Sequence, residues 1–285
     1  GGKTLMFYLA TTAFAVIIGL LLAHFISPGQ GLSIDVGAAQ VTAAEPPSAA
    51  SVILGLVPTN PFQAMIEGNM LQIIVVALFL GLGITMVGKQ AQLVFDFFNA
   101  FAEVMYKLTG VIMELAPYGV FALIAPVVAS YGLGVVLPLF KVILAVYLGC
   151  ILHWLIVYSP LVRGLGKMSP WQFFRDVSPA MIYAFSTCSS SGTLPISMES
   201  ARQLGVPNQI SSFVLPLGAT VNMDGTALYQ GVCALFIAQV YGIGLGFGQQ
   251  LMIVLTATLA SIGTAGVPGA GLIMLSMVLT SVGLP

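Results

Sequence analysis

Charge is what this sequence has least of. Of its 285 residues, 6% are Asp, Glu, Lys or Arg and 58% are hydrophobic, whereas a soluble domain is roughly 25% charged. An ordinary soluble enzyme is excluded, and the mean hydropathy of +1.04 calls for a bilayer as solvent. Eight Lys and Arg against nine Asp and Glu leave a net charge of -1, so there is no basic footprint for nucleic acid. Cysteine is scarce as well. Cys150, Cys188 and Cys233 are too few and too scattered for a disulfide framework or a metal cage, and read as small apolar residues. Histidine occurs only at His24 and His153, and no lysine follows Lys167.

The few charges are placed unevenly. Beyond Arg202 the chain runs to Pro285 with a single formal charge, Asp224. An Asp at the centre of a membrane helix costs roughly 2.5 to 3.5 kcal/mol even on a lenient insertion scale, so it usually faces a polar cavity, a partner or an ion. A buried structural hydrogen bond is the competing reading.

Uncharged runs divide the chain. Thr4 to Ala23, between Lys3 and His24, has the length of a spanning helix; a cleavable signal peptide is the alternative, against which stand its length and the lack of a small-x-small cleavage site. Ser27 to Ala50 turns to Gly, Pro, Ser and Gln with Asp35 and Glu45 but no Lys or Arg, which predicts an exposed loop outside the membrane. Pro58-Thr59-Asn60-Pro61 predicts a broken helix, followed by a span from Gly68 to Gly88. Phe97 to Ser130 reads as one long helix, entered by Glu103 and Lys107 at i, i+4. Lys141 opens a further span, Val142 to Val162, and the loop after it, with Arg163, Lys167 and Arg175, is expected inside by the positive-inside rule.

Beyond that loop the chain departs from ordinary spans. Val177 to Thr187 and Thr193 to Gln203 are each about half a crossing, and predict a re-entrant helical hairpin with Cys188-Ser189-Ser190-Ser191-Gly192 at its tip, an irregular segment tolerated at membrane depth only inside protein or at a cavity. Gln209 to Tyr241 is long enough to cross, but Asn222-Met223-Asp224-Gly225-Thr226 in its middle predicts a broken spanning helix. Gln249 to Gly283 repeats the theme around Ser261 to Gly271, a second hairpin. Its glycines permit a mobile gate. The fold class expected is an all-α membrane protein, an inverted-repeat transporter whose interrupted segments point to the binding site. Close helix packing through small residues is the plainer alternative for the second hairpin.

The polar islands suggest chemistry. Asn222, Asp224 and the carbonyls freed by a broken helix are hard oxygen donors with one negative charge, suited to Na⁺ or H⁺. Thr4, Tyr8, Thr11 and Thr12, at i, i+4, i+7 and i+8, put hydroxyls on one face of the first helix; they complete a cation site or merely bond their own helix carbonyls. A serine nucleophile in Ser189-Ser190-Ser191 lacks a base, which disfavours a membrane hydrolase. The free N–H groups of a half-helix start there favour an anionic substrate group instead.

At these residues the sequence resembles the glutamate transporter family, the dicarboxylate/amino acid:cation symporters. The motifs are Pro58-Thr59-Asn60-Pro61-Phe62, Ser189-Ser190-Ser191-Gly192-Thr193-Leu194-Pro195, Asn222-Met223-Asp224-Gly225-Thr226 and Ala265-Gly266-Val267-Pro268-Gly269-Ala270-Gly271. The serine motif looks more like the amino-acid branch than the C4-dicarboxylate branch. The resemblance implies a homotrimer in the cell membrane whose protomers each move a transport domain past a fixed scaffold, elevator-fashion, carrying an acidic amino acid with Na⁺. Residues 1–30 and 141–285 would be transport domain, 31–50 an extracellular loop and 51–140 scaffold. Ser189, Ser190, Ser191, Thr226, Val267 and Gly271 would meet the substrate. Tyr8, Thr11, Thr12, Asn222 and Asp224 would form one Na⁺ site, Gly218 and Asn222 part of another, and Thr220, Ser261, Ile262 and Thr264 a third.

Two departures stand against that pattern. Cys188 occupies a position where archaeal relatives carry Arg, and the family's first two helices and its last helix, which carries an acid and an Arg for the substrate, are missing from the chain, which is therefore expected to be a fragment. The alternatives are an ion or anion channel, and a symporter for a neutral amino acid or a C4-dicarboxylate.

Overall fold

A computed structural model describes residues 2–32, 57–67, 69–264 and 266–284. Most of the expected outside loop, and Ala265 in the second glycine-rich motif, lie outside the described residues. Every regular element among the described residues is helical. The chain forms two compact units, one of Gly1–Pro46 with Leu133–Pro285 and one of Pro47–Gly132.

Helix α1 (Gly2–Ile26) belongs to the first unit. In the second, helix α2 (Pro61–Ile66) starts where the Asn60 side chain accepts the Phe62 N–H at 2.9 Å and Pro61 takes the opening turn. Asn69 caps α3 (Met70–Val87) in the same way. The single helix expected from Phe97 to Ser130 is instead two, α4 (Gln92–Met113) and α5 (Ala116–Tyr131). Pro117 is the reason: it has no N–H to give, and its ring collides with the carbonyl four residues back, that of Met113. Leu78, Phe79, Phe101, Ile112, Phe121 and Leu123 are all exposed on these helices, as lipid-facing side chains are.

In the first unit, α1 has 25 residues, which at 1.5 Å per residue exceeds the ~30 Å hydrocarbon layer. Helix α6 (Val136–His153) starts six residues ahead of the predicted span and passes through a π turn, Trp154–Tyr158, into α7 (Ser159–Gly164). Three apolar stretches, Gly2–Ile26, Gln72–Met113 and Leu133–Gly164, are long enough to cross a membrane. Then come three pairs of shorter helices: α8 (Pro170–Thr187) with α9 (Ser190–Gln203), α10 (Asn208–Val221) with α11 (Asp224–Val240), and α12 (Phe247–Ile262) with α13 (Ala270–Ser281).

Helix α11 is the centre of this unit, with Ala227, Leu228, Val232, Ala234 and Ala238 buried along it. Helix α1 packs on it, with Ala15, Val16 and Ala23 buried along its length, and so does α6, with Ala145 buried. These are small side chains because helices in a bilayer gain little from hydrophobic burial and associate through close van der Waals contact. Gln239 ties the end of α1 down, accepting the Gly29 N–H at 2.8 Å and donating to the Ala23 carbonyl at 3.2 Å. The packing of α1, α6 and α11 brings together three polar side-chain groups that lie far apart in sequence.

Candidate functional site

The break between α10 and α11 is two residues long. Asn222 (φ -122, ψ 74) and Met223 (φ -106, ψ 65) leave the helical region, as a run of Asn, Asp and Gly favours. Asp224 then opens α11, where the positive end of the helix dipole favours an acid. It is only 6% exposed, and its carboxylate is held on both sides. Thr12 on α1 donates to Oδ1 at 2.6 Å, and Tyr158 donates to Oδ2 at 2.6 Å, distances typical of a hydroxyl bound to a carboxylate. His153 Nε2 lies 3.1 Å from Oδ2. Since a carboxylate only accepts, that nitrogen carries the proton.

Asn222 completes the cluster. With its amide oxygen inward, it lies 3.2 Å from the Thr11 hydroxyl and 3.3 Å from that of Thr12. With the amide turned, its NH₂ donates to Asp224 Oδ1 at 2.9 Å and to the Tyr8 carbonyl at 3.3 Å. The turned form satisfies every proton, because the Thr12 hydroxyl is already committed to Asp224. The oxygen-inward form instead leaves the Asn222 oxygen 2.9 Å from Asp224 Oδ1 and 3.3 Å from the Tyr8 carbonyl, acceptor against acceptor. Thr11 bonds a carbonyl of its own helix, that of Tyr8, at 3.0 Å, and also faces Asn222 at 3.2 Å. The Tyr8 hydroxyl bonds the Val214 carbonyl at 2.8 Å and covers Gly218, whose neighbour along the helix face is Asn222.

The third expected set is less closely joined. Thr220 and Ser261 each bond a carbonyl of their own helix, those of Leu217 and Thr258, and Thr264, just past the end of α12, bonds that of Ala260. No hydrogen bond links Thr220 to Ser261, Ile262 or Thr264 among the described residues.

Two helix-pair tips meet beside the break. Ser189 caps α9, accepting the Gly192 N–H at 3.1 Å, and donates to the Gly266 carbonyl at 2.8 Å. The Ser191 N–H reaches the same carbonyl at 3.1 Å. Only glycine fits there: a Cβ on Gly266 would stand 2.5 Å from Ser191 Oγ. At the other end of this turn Gly271 rests on Thr226, and Gln230 donates to the Gly271 carbonyl at 3.3 Å. Ser190, with Tyr8, Gly218 and Asn222, lines a cavity of about 410 Å³. Val267 is half-buried, and Cys188 is exposed in a left-handed conformation that ends α8, not packed as a small apolar residue.

The whole chain, residues 1–285, matches the sodium:dicarboxylate symporter family. The chain belongs to that family. Over 293 residues it is 38% identical to the proton/sodium-glutamate symport protein of Bacillus subtilis (strain 168), all of this chain aligning with 68% of that protein. The proton/glutamate-aspartate symporter of Escherichia coli (strain K12) is 38% identical over 296 residues, again the whole of this chain and 68% of the relative. The C4-dicarboxylate transport protein of Bordetella avium (strain 197N) is 33% identical over 288 residues, 99% of this chain and 64% of the relative. This is a family of membrane symporters and not of enzymes, in keeping with a serine run that has no base.

Membership of the symporter family does not by itself account for His153 and Tyr158. Sequence reasoning passed over both. An ionisable residue inside a span is a functional signal, and His153 carried that signal; Tyr158, five residues on, shares no α-helical face with it and carried none.

Proposed function

We propose that this symporter carries an acidic amino acid together with Na⁺ across the cell membrane, with H⁺ as the runner-up coupling ion. One observation carries the reading: the oxygens of Tyr8, Thr11, Thr12, Asn222 and Asp224 converge at a helix break, around one buried carboxylate. Unwound carbonyls and helix ends of this kind coordinate coupling ions in transporters. A cation there turns the Asn222 oxygen inward and takes over from the proton of Thr12. Gly218 beside Asn222 belongs to a second Na⁺ position, and Thr220, Ser261, Ile262 and Thr264 to a third.

The substrate is proposed to lie beside this cluster, among Ser189, Ser190, Ser191, Thr226, Val267 and Gly271. Its carboxylate is drawn to the start of α9, and the contact of Ser189 and Ser191 with Gly266 makes the tip of the last helix pair a gate. Coupling then has a short route, since Asn222 and Thr226 flank Asp224 on one break. The names of the glutamate and glutamate-aspartate symporters favour an amino acid with a side-chain carboxylate, and those of the C4-dicarboxylate proteins make a dicarboxylate the second choice.

In this reading α8 with α9 and α12 with α13 are re-entrant hairpins of an inverted repeat. Residues 1–30 and 141–285 move as a transport domain in an elevator step against a trimeric scaffold formed by 51–140; the compact units divide the chain similarly, except that residues 133–140 fall in the first. Each net charge carried inward across ~100 mV supplies ~2.3 kcal/mol, and ~1.4 kcal/mol is tenfold, so accumulation well above tenfold is within reach.

The test is uptake of labelled L-glutamate and L-aspartate into proteoliposomes with an imposed Na⁺ gradient, with succinate as competitor. Saturable accumulation above the external concentration is expected. Equilibration without accumulation favours a channel, and accumulation driven by a pH gradient alone makes H⁺ the coupling ion.

A further inference from the structure

Asp224 has more partners than a cation ligand needs. Its Oδ2 is taken up entirely by His153 at 3.1 Å and Tyr158 at 2.6 Å, residues that have no part in the cation cluster itself. In an α-helix a step of five residues turns about 140° beyond a full circle, which puts such a pair on opposing faces. Here the Ser159 N–H bonds the carbonyl of Trp154, five residues back. That wider turn brings positions five apart over one another, and the His153 and Tyr158 rings meet edge to face with centroids 4.6 Å apart.

Register supports the same arrangement. One turn before His153, Gly149 presses on Leu228, which lies one turn after Asp224; a Cβ on Gly149 would stand 2.9 Å from both Leu228 methyl groups. The close approach of α6 and α11 at that rung lets the imidazole reach the carboxylate. His153 is 3% exposed, and its Nδ1 has no hydrogen-bond partner among the described residues.

We propose that the π turn makes His153 and Tyr158 positioning residues for Asp224, which occupy Oδ2 with two donors and so present Oδ1 alone to the cation. The proposal rests on Asp224 being the cation ligand. It gives the two residues a role in ion specificity, because the carboxylate can neither rotate nor offer both oxygens, and the size of the oxygen cage is set from behind.

The experiment is uptake in proteoliposomes by Tyr158→Phe, His153→Leu and His153→Gln, with Na⁺ and then Li⁺ titrated at saturating substrate, and substrate KM measured at saturating Na⁺. Tyr158→Phe, which keeps the ring, and His153→Leu should each raise the Na⁺ concentration for half-maximal uptake by about tenfold or more, the effect of losing a hydrogen bond to a charged group. The Li⁺ to Na⁺ preference should shift with it, with substrate KM held within about twofold, and His153→Gln, which returns an N–H donor, should recover most of the loss. Unchanged Na⁺ activation and ion preference in both Tyr158→Phe and His153→Leu would overturn the positioning role. Asp224→Asn in the same assay separates the two claims. If it loses Na⁺ activation while Tyr158→Phe does not, the positioning role alone fails; if it too behaves as wild type, the cation assignment fails with it.

Discussion

Adding one methyl group to Gly266 tests whether the joined tips are a gate. In Gly266→Ala the new carbon would stand 2.5 Å from Ser191 Oγ, 2.9 Å from Ser191 N and 3.3 Å from the Ala219 carbonyl oxygen. The serine hydroxyl can turn aside, but the other two atoms are backbone in α9 and α10 and cannot. Gly266 must therefore withdraw, stretching its bonds from the Ser189 hydroxyl, 2.8 Å, and the Ser191 N–H, 3.1 Å. Each bond is worth about 0.5 to 1.5 kcal/mol net, and overpacking a tight contact costs about 1 to 3 kcal/mol. The resulting penalty against the joined state is about 2 to 6 kcal/mol, roughly 30-fold at its lower end. Spin labels at Phe185→Cys and Leu272→Cys, both exposed positions, report the separation once Cys150, Cys188 and Cys233 are replaced. Gly266→Ala should lengthen the distance and weaken apparent substrate affinity by at least about 30-fold, with the thermal midpoint nearly unchanged because the contact is local. A folded variant with unaltered distance and affinity would refute the gate.

Three further outcomes are expected. Thr12→Val removes a fully buried hydroxyl that bonds Asp224 at 2.6 Å while keeping its shape; it should raise the Na⁺ requirement of uptake by about tenfold or more, and Thr11→Val, whose hydroxyl can bond its own helix, should do less. Gln239→Leu leaves the Gly29 N–H and the Ala23 carbonyl without their partner, and should lower stability by about 1 to 3 kcal/mol in a detergent melt, with Na⁺ activation unaffected. Ser169→Cys in a Cys188→Ser background should react with an impermeant maleimide only after the cells are opened, since Arg163, Lys167 and Arg175 mark that loop as inside; labelling in intact cells would invert the orientation.

Much of the helical layout was legible because the bilayer makes length and charge informative. The run from Thr4 to Ala23 falls within α1, and the run of poor helix formers from Asn222 to Thr226 contains the break. Elsewhere local covalent geometry overrode the pattern of apolar residues. Pro117 divides what hydropathy alone makes one helix, and the π turn at Trp154 left no mark in a periodicity built on 3.6 residues per turn. The cluster at Asp224 was legible in part. The stripe of Tyr8, Thr11 and Thr12 on one face follows from helical spacing, but its meeting with Asn222 more than two hundred residues away came from family resemblance. His153 carried a signal as an ionisable residue inside a span, but its partnership with Tyr158 stayed hidden because their shared face exists only in the wider turn.

The central claim is that Asp224 is a cation ligand, and Na⁺ activation of uptake by Asp224→Asn tests it most directly. The amide keeps the shape and can still bond Thr12 and Tyr158, so the fold should survive, as a melt and gel filtration would show. What it loses is a full charge beside a cation, worth about 4 kcal/mol at an effective dielectric of 20 and a separation of 4 Å, or about a thousandfold in affinity. Half-maximal Na⁺ activation is expected to move beyond the measurable range in the variant. Activation by Na⁺ within about threefold of wild type would contradict the assignment.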